Sequence, residues 1–91
     1  MTLQQLRYVA AVATTGSMNE AAKKLYITQP SLSNSIAELE AEMNIRIFAR
    51  NTKGVILTAE GEEFLGYARQ VLGQVELLEE KYSDSKNVKK K

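Results

Sequence analysis

Ala21-Ala22-Lys23-Lys24-Leu25-Tyr26-Ile27-Thr28-Gln29-Pro30-Ser31-Leu32-Ser33-Asn34-Ser35-Ile36 is the stretch whose reading decides the fold. Its first part belongs to a short helix from Met18 to about Leu25, with Ala21, Ala22 and Leu25 on the inward face. Ser17 precedes this helix and Glu20 stands three residues on, a spacing that predicts a capping box. Tyr26-Ile27-Thr28 is too short to be anything but a turn. Thr28 then caps a third helix, and Pro30 falls in its first turn, where the missing N–H costs little. Leu32, Ile36, Leu39 and Met43 recur at helical spacing and form the inward stripe. Two helices that cross at close range need small residues at the crossing, which Ala21 and Ala22 supply. Leu25, Ile27 and Leu32 close a small core beneath the turn. The pattern therefore predicts a helix-turn-helix from Met18 to about Ala37.

On the N-terminal side, Thr2 with Gln5 reads as a capping box. Leu3, Leu6, Val9, Ala10 and Ala13 give one apolar face, and Thr14-Thr15-Gly16 ends that helix. On the C-terminal side the period changes after Asn44. Ile45, Ile47 and Ala49 point one way and Arg46, Phe48 and Arg50 the other. Val55-Ile56-Leu57 reads as a returning strand, with Asn51-Thr52-Lys53-Gly54 as the turn between them. A hairpin this small needs helices to pack on. Thr58 caps a last, long helix whose Glu60, Glu62 and Glu63 suit its positive end. Phe64, Ala68, Val71, Val75, Leu78 and Tyr82 follow at spacings of 4, 3, 4, 3 and 4. That is a 3.5-residue seam, and it predicts a partner helix alongside. Leu65 and Leu72 make an offset stripe that packs back on the chain's own core. From Ser83 onward the periodicity stops, and a mobile tail is expected.

The expected architecture is mainly α, a winged helix-turn-helix of three helices and a two-stranded β-hairpin followed by a long dimerisation helix. Residues 1–58 form the first unit, 59–82 the helix and 83–91 a hinge. The alternative for the long stripe is intramolecular core.

Composition narrows the function classes. Ninety-one residues make one small domain without Cys or His. Disulfides and thiolate metal sites are thereby excluded, and the commonest general base and metal ligand are missing. No cofactor or metal is expected, and no window is apolar enough to span a membrane. A cytoplasmic, non-catalytic protein is the favoured class. Net charge is +1, but its distribution is uneven. Arg7, Lys23, Lys24, Arg46, Arg50 and Lys53 outnumber the acids of residues 1–58, whereas the last helix is strongly acidic. Such asymmetry suits a protein with one face toward a polyanion.

The start of the third helix offers Gln29, Ser31, Ser33 and Asn34, all able to hydrogen-bond and none charged. Gln and Asn pair with adenine in the major groove, and Ser is short and adaptable. The first carboxylate on this helix, Glu38, is more than two turns beyond Gln29. Arg50 and Lys53 flank the hairpin tip, where they suit phosphates or an adjacent minor groove; they also fit as solvated turn residues. The candidate DNA-binding set is Ser17, Thr28, Gln29, Pro30, Ser31, Ser33, Asn34, Arg50, Thr52 and Lys53. Within it Ser17 and Thr28 are caps first, and a cap beside DNA also touches phosphate.

The quoted stretch resembles the core of LysR-type transcriptional regulators, as do Leu39-Glu40, Phe48-Ala49-Arg50, and Leu57-Thr58 followed by Gly61. Together these motifs span most of residues 3–65 in the family's order. The resemblance implies a bacterial regulator with an N-terminal winged helix-turn-helix, a dimerising linker helix and a C-terminal effector-binding domain. It also implies that Gln29, Pro30, Ser33 and Asn34 lie at the DNA, with Arg50 and Lys53 in the wing. Family members often carry basic or longer polar residues where Asn34, Ser35, Ala37 and Glu38 stand, so this recognition helix is short of charge.

The expectation is a homodimer binding an approximately palindromic double-stranded operator, as a fragment whose small-molecule effector belongs to an absent domain. A tetramer is open for the full-length protein. The alternative is a winged-helix adaptor that docks another protein through its last helix. An enzyme fits poorly, because these Glu residues sit on exposed helical faces.

Overall fold

A computed structural model describes residues 1–87 of the chain. The elements run α1 (Leu3–Thr15), α2 (Met18–Leu25), α3 (Gln29–Met43), β1 (Phe48–Asn51), β2 (Gly54–Leu57) and α4 (Ala59–Asn87). The two strands pair antiparallel, with Phe48 opposite Leu57 and Asn51 opposite Gly54. This is the expected mainly helical winged helix-turn-helix, with α4 leaving it as a rod. At 1.5 Å per residue a 29-residue helix spans roughly 44 Å, close to the molecule's longest dimension of 48 Å.

Local chemistry sets the helix ends. Thr2 and Gln5 form the capping box of α1, and Gly16 closes it in the left-handed conformation. Ser17 caps α2 through the Glu20 N–H, but only half of the expected box forms. The Ser17 N–H donates instead to Thr15 Oγ1, and the Glu20 carboxylate lies 3.8 Å from Lys23 Nζ. Thr28 caps α3 through the Ser31 N–H, and Thr58 caps α4 through the Gly61 N–H at 2.9 Å.

One core unites all elements. Val9 and Val12 of α1, Ala21 and Ala22 of α2, and Leu32, Ile36 and Leu39 of α3 meet Ile47, Phe48, Val55 and Leu65. Val12, rather than the exposed Leu3, completes the α1 face. Full burial of a side chain such as Leu32 or Ile47 stabilises by about 1.5–3 kcal/mol, so this cluster is what holds the short hairpin in place.

The hairpin corrects the alternation read from the sequence. Residues 45–47 lie outside the strands, because the Ile47 and Phe48 N–H groups both donate to Glu40 Oε2, at 2.8 and 3.2 Å. Ile47 and Phe48 are consecutive and both buried, which a single strand face cannot accomplish. Within the sheet Phe48 and Val55 face inward with Arg50 beside them, while Ile56 faces out at 52% exposed. The expected grouping of Phe48 with Arg50 holds, and the face they share is the inner one.

The last helix differs too. Rather than stopping at Tyr82, α4 continues through Asn87, and the Ser83 hydroxyl donates to the Glu79 carbonyl one turn back. The rest of the expected hinge, residues 88–91, lies outside the described residues. At the other end α4 comes so close to the segment leading into β1 that a Cβ on Gly61 would overlap the Ile47 carbonyl oxygen. Only glycine fits there.

Candidate nucleic-acid interface

The first turn of α3 arranges its polar side chains in two pairs. Gln29 Nε2 donates to Ser33 Oγ at 2.6 Å, one turn along the helix. Thr28 Oγ1 donates to Ser31 Oγ at 2.9 Å while accepting from the Ser31 N–H. These bonds restrict rotamers before any ligand arrives, which lowers the ordering cost of recognition. Asn34 is exposed one position beyond Ser33, and Pro30 and Ser31 are exposed on the outer side of the same turn. No carboxylate interrupts this surface between Gln29 and Ser35.

Three tethers hold the hairpin against it. Glu40 on α3 binds the two N–H groups at the root of β1. The Val55 N–H donates to the Gly16 carbonyl at 3.2 Å, joining β2 to the loop before α2. Gly54 passes so near that its own Cβ, were there one, would strike the Gly16 carbonyl; its φ of 146° also disfavours other residues. The third tether is Thr58, whose N–H and hydroxyl bind the carbonyls of Ile47 and Arg46.

Two shallow clefts result. One, of about 410 Å³, is lined by Ser33, Asn34 and Ala37 of α3 and by Arg46, Phe48 and Arg50. The other, of about 390 Å³, is lined by Ser17, Met18 and Asn19 at the start of α2, by Gln29, and by Arg50 and Gly54. Arg50 borders both. Its place follows from the sheet register, which puts it on the inner face after the buried Phe48, at the edge where the sheet meets solvent.

Of the candidate residues, Ser17, Gln29, Ser33, Asn34 and Arg50 therefore border one continuous concave surface. Thr28, Pro30 and Ser31 crown the helix start beside it. Thr52 and Lys53 stand apart on the exposed hairpin tip, where the Lys53 N–H is held by Asn51 Oδ1 at 2.9 Å. Sequence reasoning missed Asn19 and Arg46. Asn19 carries no signal of its own in the sequence, and only the return of the hairpin brings it beside Gln29 and Arg50. Arg46 was assigned to a strand face, whereas it lies ahead of the strand, its Nε donating to the Phe48 carbonyl at 3.4 Å.

The α4 seam is divided. Ala68 is buried in the chain's own core beside Leu65, and Phe64 packs partly against that core. Of the expected dimer residues, Val71, Leu78 and Tyr82 are exposed and Val75 is half-buried, with Tyr67 and Leu77 adding exposed apolar surface. The first heptad thus serves the monomer and the later ones do not.

The sequence model of a family described as "Bacterial regulatory helix-turn-helix protein, lysR family" matches residues 3–62. The chain belongs to the LysR family. It is 42% identical over 76 residues to the HTH-type transcriptional regulator TfdT of Cupriavidus pinatubonensis, which covers 84% of this chain and 33% of that protein. This chain thus spans about a third or less of the length of the first curated LysR-family relatives it matches. Among solved structures, that of the CbnR_DBD-DNA complex superposes with a TM-score of 0.85 at 34% identity, over 93% of this chain and 98% of that one. The BenM_DBD/benA site 1 DNA complex gives 0.84 at 39% identity, over 97% and 96%. Both LysR-family structures contain a DNA-binding domain with DNA. Among the described residues no group of His, Cys, Asp and Glu could hold a metal ion, and no helix is long and apolar enough to cross a membrane.

Proposed function

We propose that this chain is the sequence-specific, double-stranded DNA-binding part of a bacterial, cytoplasmic transcription regulator, and that it acts as a homodimer without catalytic chemistry of its own. The observation that carries this reading is the concave surface on which the Gln29–Ser33 pair, Asn34 and Arg50 converge. The N-terminal turn of α3 enters the major groove, where Gln29, Ser33 and Asn34 read base edges and Pro30 and Ser31 pack at the rim. Ser17, Thr28, Arg50, Thr52 and Lys53 engage the sugar–phosphate backbone on either side, fixing register and supplying salt-dependent affinity.

Residues 1–58 act as the reading unit and α4 as the linker that pairs two of them on an approximately palindromic site. Val71, Val75, Leu78 and Tyr82 form the core of that pairing. A small-molecule effector would act through a further domain, and a tetramer would arise in the longer protein. The experiment is an anisotropy titration of the chain against genomic fragments and against mixed-sequence duplex over a range of salt. The expected result is a preferred fragment bound at least 1,000-fold more tightly than mixed sequence, at the low end of specific recognition (~10³). A protein-docking adaptor would show no preference at any salt concentration.

A further inference from the structure

Three helices of this fold end on a residue in the left-handed conformation. α1 ends on Gly16 and α3 on Asn44, residue types that adopt it readily, but α2 ends on Tyr26 at φ 60°, ψ 40°. A tyrosine is among the less favourable choices there, since Gly and Asn close a helix without crowding a Cβ. The closure itself is ordinary: the Tyr26 N–H donates to the Lys23 carbonyl at 3.2 Å, and the Ile27 N–H to the Ala22 carbonyl at 3.1 Å. Nor does packing explain the ring. Tyr26 is 94% exposed, while its neighbour Ile27 packs against the core. Neither the local backbone nor the core accounts for a tyrosine at this position.

Its place in the fold does. Tyr26 stands two residues before Thr28, the cap of the helix assigned to the groove, and follows the exposed Lys23 and Lys24 with Leu25 between. Two residues of chain span at most about 7 Å. The major groove is about 12 Å wide, so its bounding phosphates lie roughly 6 Å from an element centred in it. A residue this near the entering end has the groove wall within reach of its side chain. We infer that Tyr26 is a sequence-independent DNA contact, its hydroxyl donating to a backbone phosphate at the edge of the groove entered by α3. Tyrosine hydroxyls are among the donors that protein–DNA interfaces use for phosphates. The contact rests on the proposed DNA-binding function. It adds a point of attachment on the opposite end of α2 from Ser17, so that both ends of that helix grip the backbone.

A neutral donor leaves a different trace from a lysine, because it releases no counterion and does not change the salt slope. Two variants of the 91-residue chain test the contact, by anisotropy on the preferred fragment and on mixed-sequence duplex across a salt series, alongside thermal melting. Tyr26→Phe is expected to weaken binding roughly tenfold or more on both duplexes, with the salt slope unchanged, as for loss of one hydrogen bond to a charged group. Tyr26→Gly, suited to the left-handed backbone, is expected to melt no lower than the original while binding at least as weakly as Tyr26→Phe. A stable variant that binds less well separates recognition from folding. Wild-type affinity in Tyr26→Phe would overturn the contact, as would a loss confined to one duplex, which would make Tyr26 a base reader. If the unmodified chain binds no duplex, the proposed function fails and the contact with it; failure of the contact alone leaves the wild-type titration intact.

Discussion

Glu40 links the reading helix to the wing through one carboxylate oxygen. That oxygen accepts both the Ile47 and Phe48 N–H groups, so the path from α3 to β1 depends on a single half-buried side chain. Leaving two partly buried donors unmatched costs about 2 kcal/mol in a domain of this size. Glu40→Ala is therefore expected to lower the melting temperature by roughly 10 °C. Glu40→Gln, which keeps an acceptor oxygen, should lose less than half as much. Equal losses would mean that the negative charge rather than the acceptor holds the wing. The sequence marked Glu40 only as part of a motif, because its partners are backbone groups seven and eight residues away and carry no side-chain signal.

Elements were legible to the extent that their signals are local. Each helix start had its cap in the sequence, and the turn at Tyr26-Ile27-Thr28 was marked by sheer brevity. The wing was legible as a hairpin, but alternation cannot say which face is buried. Ile47 owes its burial to the Glu40 tether and to the first turn of α4, both of which are tertiary. The buried face matters for the site: it places Arg50 at the junction of two clefts, beside Gln29 and Ser33. Arg50 and Lys53 thus share a charge but not a setting. Arg50→Ala and Lys53→Ala should each weaken binding to every duplex and lower the salt slope by about 1. Arg50→Ala should also reduce discrimination between preferred and mixed sequence, while Lys53→Ala, at the exposed tip, should not. A salt titration in which neither slope changes would remove the wing from the DNA.

At the scale of the whole molecule, a compact winged helix-turn-helix is followed by a long helix. The seam spacing was visible in the sequence, but its first two members are spent inside the monomer: Ala68 is buried and Phe64 packs against the core. Sequence periodicity cannot apportion an apolar stripe between a chain and its partner. The exposed remainder, centred on Val71 and Leu78, is the surface proposed for pairing. Leu78→Glu is expected to leave the monomer fold intact, since Leu78 is 59% exposed there. It should convert a dimer to a monomer by sedimentation and weaken binding to a two-half-site duplex at least tenfold by removing the second attachment. An unchanged dimer mass would move the interface elsewhere. The central claim, that the start of α3 reads bases, is tested most directly by Gln29→Ala on a preferred site and on the same site changed at single base pairs. The expected result is a loss of roughly 1–3 kcal/mol on the preferred site, with discrimination relaxed at one base pair and kept at the others. Equal losses on preferred, altered and mixed sequences would contradict it and assign Gln29 to the backbone.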